Sequence, residues 1–284
     1  MVADQGANQT STNQGGTNQS VEKAATVLAA FLDGQALRVS DVAKRAGIGQ
    51  STASRLLATL ESINYVERDP VSSLYRLGPA LITLAGVAIN QHPVHRAARQ
   101  PAQNVAASLG LGANVAVRRG DALFYLCNFE GRLAPKSYVL MGQSNPLHAT
   151  ALGKCLLLAL DPSERRRLLP TLRRFTPHTI VDHDALDREL DEVRGRGYAT
   201  EVEELALRRA CIAAPILDSS GAIVAALSLS GPLSALDLDN RESERASVVI
   251  EVADSISADL GYLGPAHSLP GADVVTETQP VNAS

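Results

Sequence analysis

The sequence predicts a two-domain α/β chain: a small helical N-terminal module ending in a β-hairpin, a linker helix, and a larger α+β domain. Three observations predict it. The 284 residues exceed one average domain and fall short of three. Before residue 80 the apolar residues recur at helical spacing between closely set stops, whereas after Gly110 strand-like and helix-like runs alternate. With 45% hydrophobic and 20% charged residues, the composition is that of a globular chain able to bury real cores.

The first element is a tail. Residues 1–19 are rich in Gln, Asn, Gly, Ser and Thr and read as disordered, without the basic start and apolar segment of a secretory signal. No apolar run reaches about 18 residues, so a membrane span is excluded and a cytoplasmic protein is expected. Cys127, Cys155 and Cys211 are odd in number, far apart and flanked by apolar residues, which reads as free thiols in a reducing compartment.

The module spans residues 20–82. Val21, Ala24, Ala25, Leu28 and Phe31 or Leu32 mark a first helix closed by Asp33-Gly34. Ser40 as N-cap, Asp41 in the first turn and Gly47 as the C′ residue predict a second helix of about two turns. A third begins near Gln50 or Ser51, with Ala53, Leu56, Leu57, Leu60 and Ile63 as its buried stripe. "YVERDPVSSLYRLG" then alternates around Asp69-Pro70 and Ser72-Ser73 as a hairpin. Residues 83–98 form the linker helix, within an Ala- and Leu-rich segment interrupted at Pro93.

Residues 99–262 make the α+β domain. "ANVAVRRGDALFYLCNFE" predicts two strands about Arg119-Gly120-Asp121, "HATALGKCLLLAL" and "DHDALDRELDEVRGRG" two helices, and "CIAAPILDSSGAIVAALSLSGP" a hairpin turning at Ser219-Ser220-Gly221. Ala246, Val249, Ile250, Ala253, Ile256 and Leu260 mark a last amphipathic helix, and residues 263–284 read as a flexible tail.

Two helices joined by a short Gly-containing turn constitute a helix-turn-helix unit. Ala43, Gly47, Ala53 and Leu56 stand where close crossing requires small or apolar residues. The outer face of the third helix carries Ser51, Thr52, Ser54 and Arg55, a set suited to base edges in the major groove of duplex DNA. Gln50 and Arg76 are expected to position the protein on the backbone or minor groove, the hairpin with Arg76 acting as a wing. The whole chain carries −4, so phosphate attraction has to be local; Arg38, Lys44, Arg45 and Arg55 against Asp41 leave +3 between residues 38 and 55.

Enzymatic readings lack a convergent set of groups. His92 and His95 have no third ligand nearby, Asp182 to Asp184 read as a helix cap, and Gly110-Leu111-Gly112 lacks the third Gly of a dinucleotide loop. Glu201, Glu203 and Glu204 have no partner nucleophile, and Lys154 reads as a packing residue. No catalytic residue, metal or cofactor is assigned.

The order of these motifs resembles the IclR family of bacterial transcription regulators over residues 20–262. "LRVSDVAKRAGIGQSTASRLLATLESINYVERD" is similar to that family's winged helix-turn-helix, "PLHATALGKCLLLAL" to a motif of its ligand domain, and "GYATEVEELALRRACIAAPILDSSGAIVAALSLSGP" to its closing signature. The resemblance implies a GAF-like effector-binding domain and a dimer or tetramer that acts as a repressor or other regulator on a palindromic operator. It implies a small-molecule effector, an organic or aromatic acid, held by Ala151, Leu152, Glu201, Cys211, Ser228 and Ser230, with Ser137, Asn145 and Arg209 in the same pocket. Glu201 stands where Asp is common in the family, and Arg208 and Arg209 depart from its usual residues. Both arginines have two readings, surface charges beside Glu203 and Glu204 or a pocket cation. The alternative for the whole chain is a GAF-like sensor or enzyme whose helical arm only dimerises.

Overall fold

The computed structural model describes residues 18–134 and 140–266. Most of both expected tails therefore lies outside the described residues, as does Ser137. The chain divides into a first unit ending at Ala88 and a second beginning at Ile89.

In the first unit, α1 (Gln19–Ala29) starts inside the expected tail because Asn18 caps it, its side-chain oxygen accepting from Ser20 N at 3.0 Å. Of the expected stripe, Phe31 is buried and Ala24 and Leu28 are half-buried, Val27 joins them buried, and Val21, Ala25 and Leu32 are exposed. The expected stripe began three residues too early. Helix α2 (Val39–Ala46) also starts before the expected cap: Arg38 holds the N-cap position and its amide donates to Asp41 Oδ2 at 3.2 Å, placing Ser40 inside the helix. Gly47 ends it at φ 65° with open space around it, so left-handed backbone is what requires glycine there.

Helix α3 (Gln50–Ser62) follows after Ile48 and Gly49 and buries Ala53, Leu57 and Leu60, with Leu56 packed beside them. Ile63, expected in the stripe, is exposed because it lies beyond the helix end. Strands β1 (Val66–Arg68) and β2 (Tyr75–Leu77) pair antiparallel as the wing, and Leu37 bridges to Tyr75. Helix α4 (Pro79–Gln91) crosses the boundary between the units and has no buried residue; Ile82, Leu84 and Val87 are exposed.

The linker expected at 83–98 is two helices. Pro93 lacks an amide proton and starts α5 (Pro93–Leu109), which lies wholly in the second unit, runs well beyond Ala98 and buries Val94, Ala98, Ala102, Val105 and Ala106. The second unit continues with β3 (Gly112–Arg119), β4 (Ala122–Glu130), β5 (Ser144–Pro146), α6 (Ala151–Leu157), α7 (Pro162–Leu168), α8 (His183–Arg196), β6 (Ala199–Val202), β7 (Arg209–Leu217), β8 (Ile223–Pro232), α9 (Leu233–Leu236) and α10 (Leu238–Asp259). The six strands form one antiparallel sheet, ordered β5-β4-β3-β8-β7-β6.

Both faces of the sheet are covered. One carries Ala113, Val115, Ile212, Ala214, Leu227 and Leu229 against α5 and α10. The other carries Ala116, Leu123, Tyr125, Ala213 and Ala226 against α6. On the second face a Cβ added to Gly153 would stand 2.0 Å from Leu147 O and 2.4 Å from its Cα, so α6 reaches the sheet only with glycine there.

We expect Gly153→Ala to destabilise the second unit by about 1–3 kcal/mol through overpacking against backbone, measured by denaturant unfolding. Wild-type stability would show that α6 can move away from residue 147.

Candidate functional site

The outward face of α3 is the first candidate. Gln50, Ser51, Ser54 and Arg55 are exposed, while Thr52 is half-buried at the edge of that face. The first turn of α3 has no acidic residue. On α2, Arg38 and Lys44 are exposed, and among the described residues Arg38, Lys44 and Arg55 form no ion pair. Arg45 leaves the expected patch: its guanidinium donates to Asp33 Oδ2 at 2.7 Å, Ala30 O at 2.9 Å and Gln35 Oε1 at 3.0 Å, tying α2 to the end of the first helix. On the wing, Arg76 Nε meets Glu67 Oε1 at 2.5 Å, which offsets part of its charge. The remaining cations therefore sit on the two crossing helices, around a face of hydroxyls and amide.

The second candidate is a cavity of about 50 Å³ between the sheet and the start of α6. Strand pairing assembles it. Residues alternate in facing along a strand, so Arg209 and Cys211 on β7 and Ser228 and Ser230 on β8 share one side. Across the strands, Glu201 pairs with Cys211 and Cys211 with Ser230, and in the neighbouring row Asn128 pairs with Asn114 and Asn114 with Ser228. Asn145, Ala151, Leu152, Glu201, Arg209, Cys211, Ser228 and Ser230, all expected from the sequence, line the cavity together.

Arg209 is half-buried in the cavity and forms no ion pair among the described residues. Arg208 does not line it: exposed at φ 65°, it donates its amide to Glu203 Oε1 at 2.6 Å. Of the two open readings, each arginine takes one.

Glu201 is 3% exposed, and its Oε1 accepts from Glu204 N at 2.7 Å and Leu205 N at 3.1 Å, so the carboxylate clips the chain that forms one cavity wall through Leu205 and Ala206. Burial raises its pKa, opposed by those two amides. Behind it, Lys154 is buried and donates from Nζ to Glu204 Oε1 at 2.6 Å and Thr200 O at 2.9 Å, an ionic anchor and not a free amine. Burial also raises the Glu204 pKa, with Lys154 opposing. The Cys211 thiol is pushed up by burial and by Glu201 beside it, which makes it a poor nucleophile.

The site assigned from sequence did not include Asn114, Tyr125, Leu140, Thr150, Leu205 or Ala206. Tyr125 is buried, its pKa pushed up to about 12, mainly by desolvation, and its hydroxyl accepts from Asn145 Nδ2 at 3.0 Å. The pairing of β3 with β4 jumps from Ala116↔Tyr125 to Val115↔Cys127, leaving Leu126 as an extra residue. This bulge switches the facing of β4, so Tyr125 and Asn128 serve the same side despite their odd separation. Thr150 was legible as an N-cap: its Oγ1 accepts from Gly153 N at 3.1 Å.

The profile described as "Bacterial transcriptional regulator IclR C-terminal" matches residues 86–258, and that described as "IclR helix-turn-helix domain" matches residues 20–70. The chain belongs to the IclR family. It is 30% identical over 241 residues to the HTH-type transcriptional regulator BhcR of Paracoccus denitrificans, covering 84% of this chain and 86% of that one. To the HTH-type transcriptional repressor AllR of Klebsiella pneumoniae it is 33% identical over 225 residues, covering 78% and 82%. The crystal structure of an IclR homolog complexed with 4-hydroxybenzoate from Microbacterium hydrocarbonoxydans superposes with a TM-score of 0.75 at 27% identity, covering 85% and 98%. This IclR-family chain is accordingly a transcription regulator with a helix-turn-helix DNA-binding domain and not an enzyme. No helix among the described residues is long and apolar enough to cross a membrane.

Because burial raises the Glu201 pKa, its contribution to stability is full below the ordinary glutamate value of 4.5 and is lost as pH rises through the raised value. Glu201→Gln keeps an oxygen acceptor for the two amides without the charge. We expect the variant to gain on wild type in unfolding free energy as pH rises above 4.5; a difference that stays constant with pH would show that Glu201 does not titrate in this range.

Proposed function

We propose that this IclR-family regulator binds a palindromic operator as a dimer or dimer of dimers in the cytoplasm, and that a small organic acid in the cavity tunes that binding. The observation that carries the DNA half is the outward face of α3, where Gln50, Ser51, Ser54 and Arg55 stand exposed with no acid in the first turn. In this reading Ser51, Thr52, Ser54 and Arg55 contact bases, with Arg55 gripping a guanine edge, and Arg38, Lys44, Gln50 and Arg76 hold phosphates or the minor groove. Repression is the reading favoured by AllR, which is named as a repressor.

The exposed apolar residues Ile82, Leu84 and Val87 on α4 support self-association, since burying them against a second copy removes apolar surface from water. A two-fold axis would then present two α3 helices to half-sites about one helical turn apart.

The effector half rests on Arg209, a half-buried cation with no described ion-pair partner, which a ligand carboxylate would satisfy. Ala151 and Leu152, in the first turn of α6, line the same space. A cavity of about 50 Å³ holds about three to five water-sized groups, so a short-chain acid fits without movement of the wall. A ligand of the size of 4-hydroxybenzoate would require the 203–208 segment or its neighbours to move.

The test is duplex binding by the full chain across a salt series. We expect log affinity to fall steeply and linearly with log salt, and Arg55→Ala to cost about 1–3 kcal/mol at one base pair of the operator while leaving others unchanged. Equal weakening on every sequence would make Arg55 a phosphate contact only, and duplex binding that is independent of salt would remove the DNA reading.

A further inference from the structure

The hydrogen bonds around the cavity have a direction. Asn128 Nδ2 donates to Asn114 Oδ1 at 2.8 Å, which commits the Asn114 carbonyl and leaves its amide for β8. Asn114, 5% exposed, then donates Nδ2 to Ser230 Oγ at 3.1 Å and makes a longer contact of 3.5 Å to Ser228 Oγ. A serine hydroxyl has one proton and two lone pairs, so a serine that accepts from Asn114 has its proton left to give. Among the described residues neither hydroxyl proton has an acceptor, and both serines line the cavity. Tyr125 is arranged alike: it accepts from Asn145 and keeps its phenolic proton for the cavity. Glu201, the carboxylate of the lining, has Oε1 occupied by two amides. Each serine still keeps one lone pair and Glu201 Oε2 lies outside that clip, so the polarity of this end is a bias set by the three hydroxyl protons and not an absence of acceptors.

We propose that Asn128, through Asn114, is a specificity-determining residue: it biases the Ser228/Ser230 end of the cavity toward donation, favouring a carboxylate or carbonyl oxygen over an ammonium group. The proposal rests on the reading of the cavity as the effector site, and adds to it the polarity of the ligand's far end. Asn128 does not itself line the cavity; it is a positioning residue acting from the neighbouring strand.

The experiment is calorimetric titration of the full chain with three probes of equal chain length: malonate, 3-hydroxypropionate and β-alanine. Each has a carboxylate for Arg209; they differ in what they offer the serines and in net charge, so the charge-neutral Ser230→Ala variant isolates the part played by the hydroxyl. Malonate is expected to bind wild type at least about tenfold more tightly than β-alanine. In Asn128→Asp the new carboxylate can only accept, so Asn114 turns its amide toward it and its carbonyl toward the serines. The serine hydroxyls then donate to Asn114 and show lone pairs to the cavity. The malonate preference is expected to collapse or invert, with 3-hydroxypropionate, which both donates and accepts, changing least. Ser230→Ala, a smaller change of packing, should weaken malonate and leave β-alanine unchanged.

An unchanged preference in Ser230→Ala would overturn the proposal whatever Asn128→Asp does, and so would an unchanged preference in Asn128→Asp, where the added negative charge acts in the same direction. So would equal affinities of wild type for malonate and β-alanine; if Ser228→Val abolished both in that case, the effector site would stand and only its polarity would be wrong. Absence of binding by all three probes would overturn the proposal and the short-acid reading together.

Discussion

The register of β8 between β3 and β7 is the constraint on which the cavity of the second unit depends. Strand pairing sets Ser228 opposite Asn114 and Ser230 opposite Cys211, and the same alternation sends Leu227 and Leu229 to the face under α5 and α10. A slip of one residue would drive both hydroxyls into that apolar core and bring leucines to the cavity, exchanging satisfied polar groups for buried unsatisfied ones. Register is thus held by the core and read out as chemistry. The clip from Glu201 to Leu205 and the buried Lys154–Glu204 pair depend on it too, because β6 takes its place from β7.

The first unit works by a different economy. Its recognition surface needs no cavity, only a short helix held with one face outward. Val42, Leu57, Leu60 and Phe31 fix that face from within, Gly47 permits the reversal, and Arg45 locks α2 to the preceding loop through Asp33 and Gln35. Arg45 illustrates how charge counts taken along a chain mislead. It adds to a local sum of cations yet is consumed structurally, so that among the described residues Arg38, Lys44 and Arg55 are left without an ion pair.

Much of this was legible in the sequence, and the failures have physical causes. The stripe of α3 and the left-handed Gly47 were readable because a helix period and a glycine stop are local signals. The cap of α2 was misplaced at Ser40 because the side-chain preference for serine was read where Asp41 in fact bonds back to the Arg38 amide. Helix α7 went unread although Asp161 and Glu164 form a capping box, since the run PSERRRL is mostly charged and shows no apolar period. The inward facing of Arg209 follows from its even separation from Cys211, so strand parity alone would have divided it from Arg208. Asn128 could not be read at all. Its side of the sheet is decided by the bulge at Leu126, and a bulge is a property of two paired strands rather than of one.

The two units matter to each other only if a cavity ligand has different affinities for the DNA-competent and DNA-incompetent states. The most direct measurement is operator affinity of the full chain with and without a saturating cavity ligand, in wild type and in the double variant Ser228→Val, Ser230→Val. The account predicts a shift of about 5- to 150-fold in wild type, and none in the variant, which should still bind the operator in the absence of ligand. A shift of the same size in the variant would show that the ligand acts from somewhere else and would contradict the account.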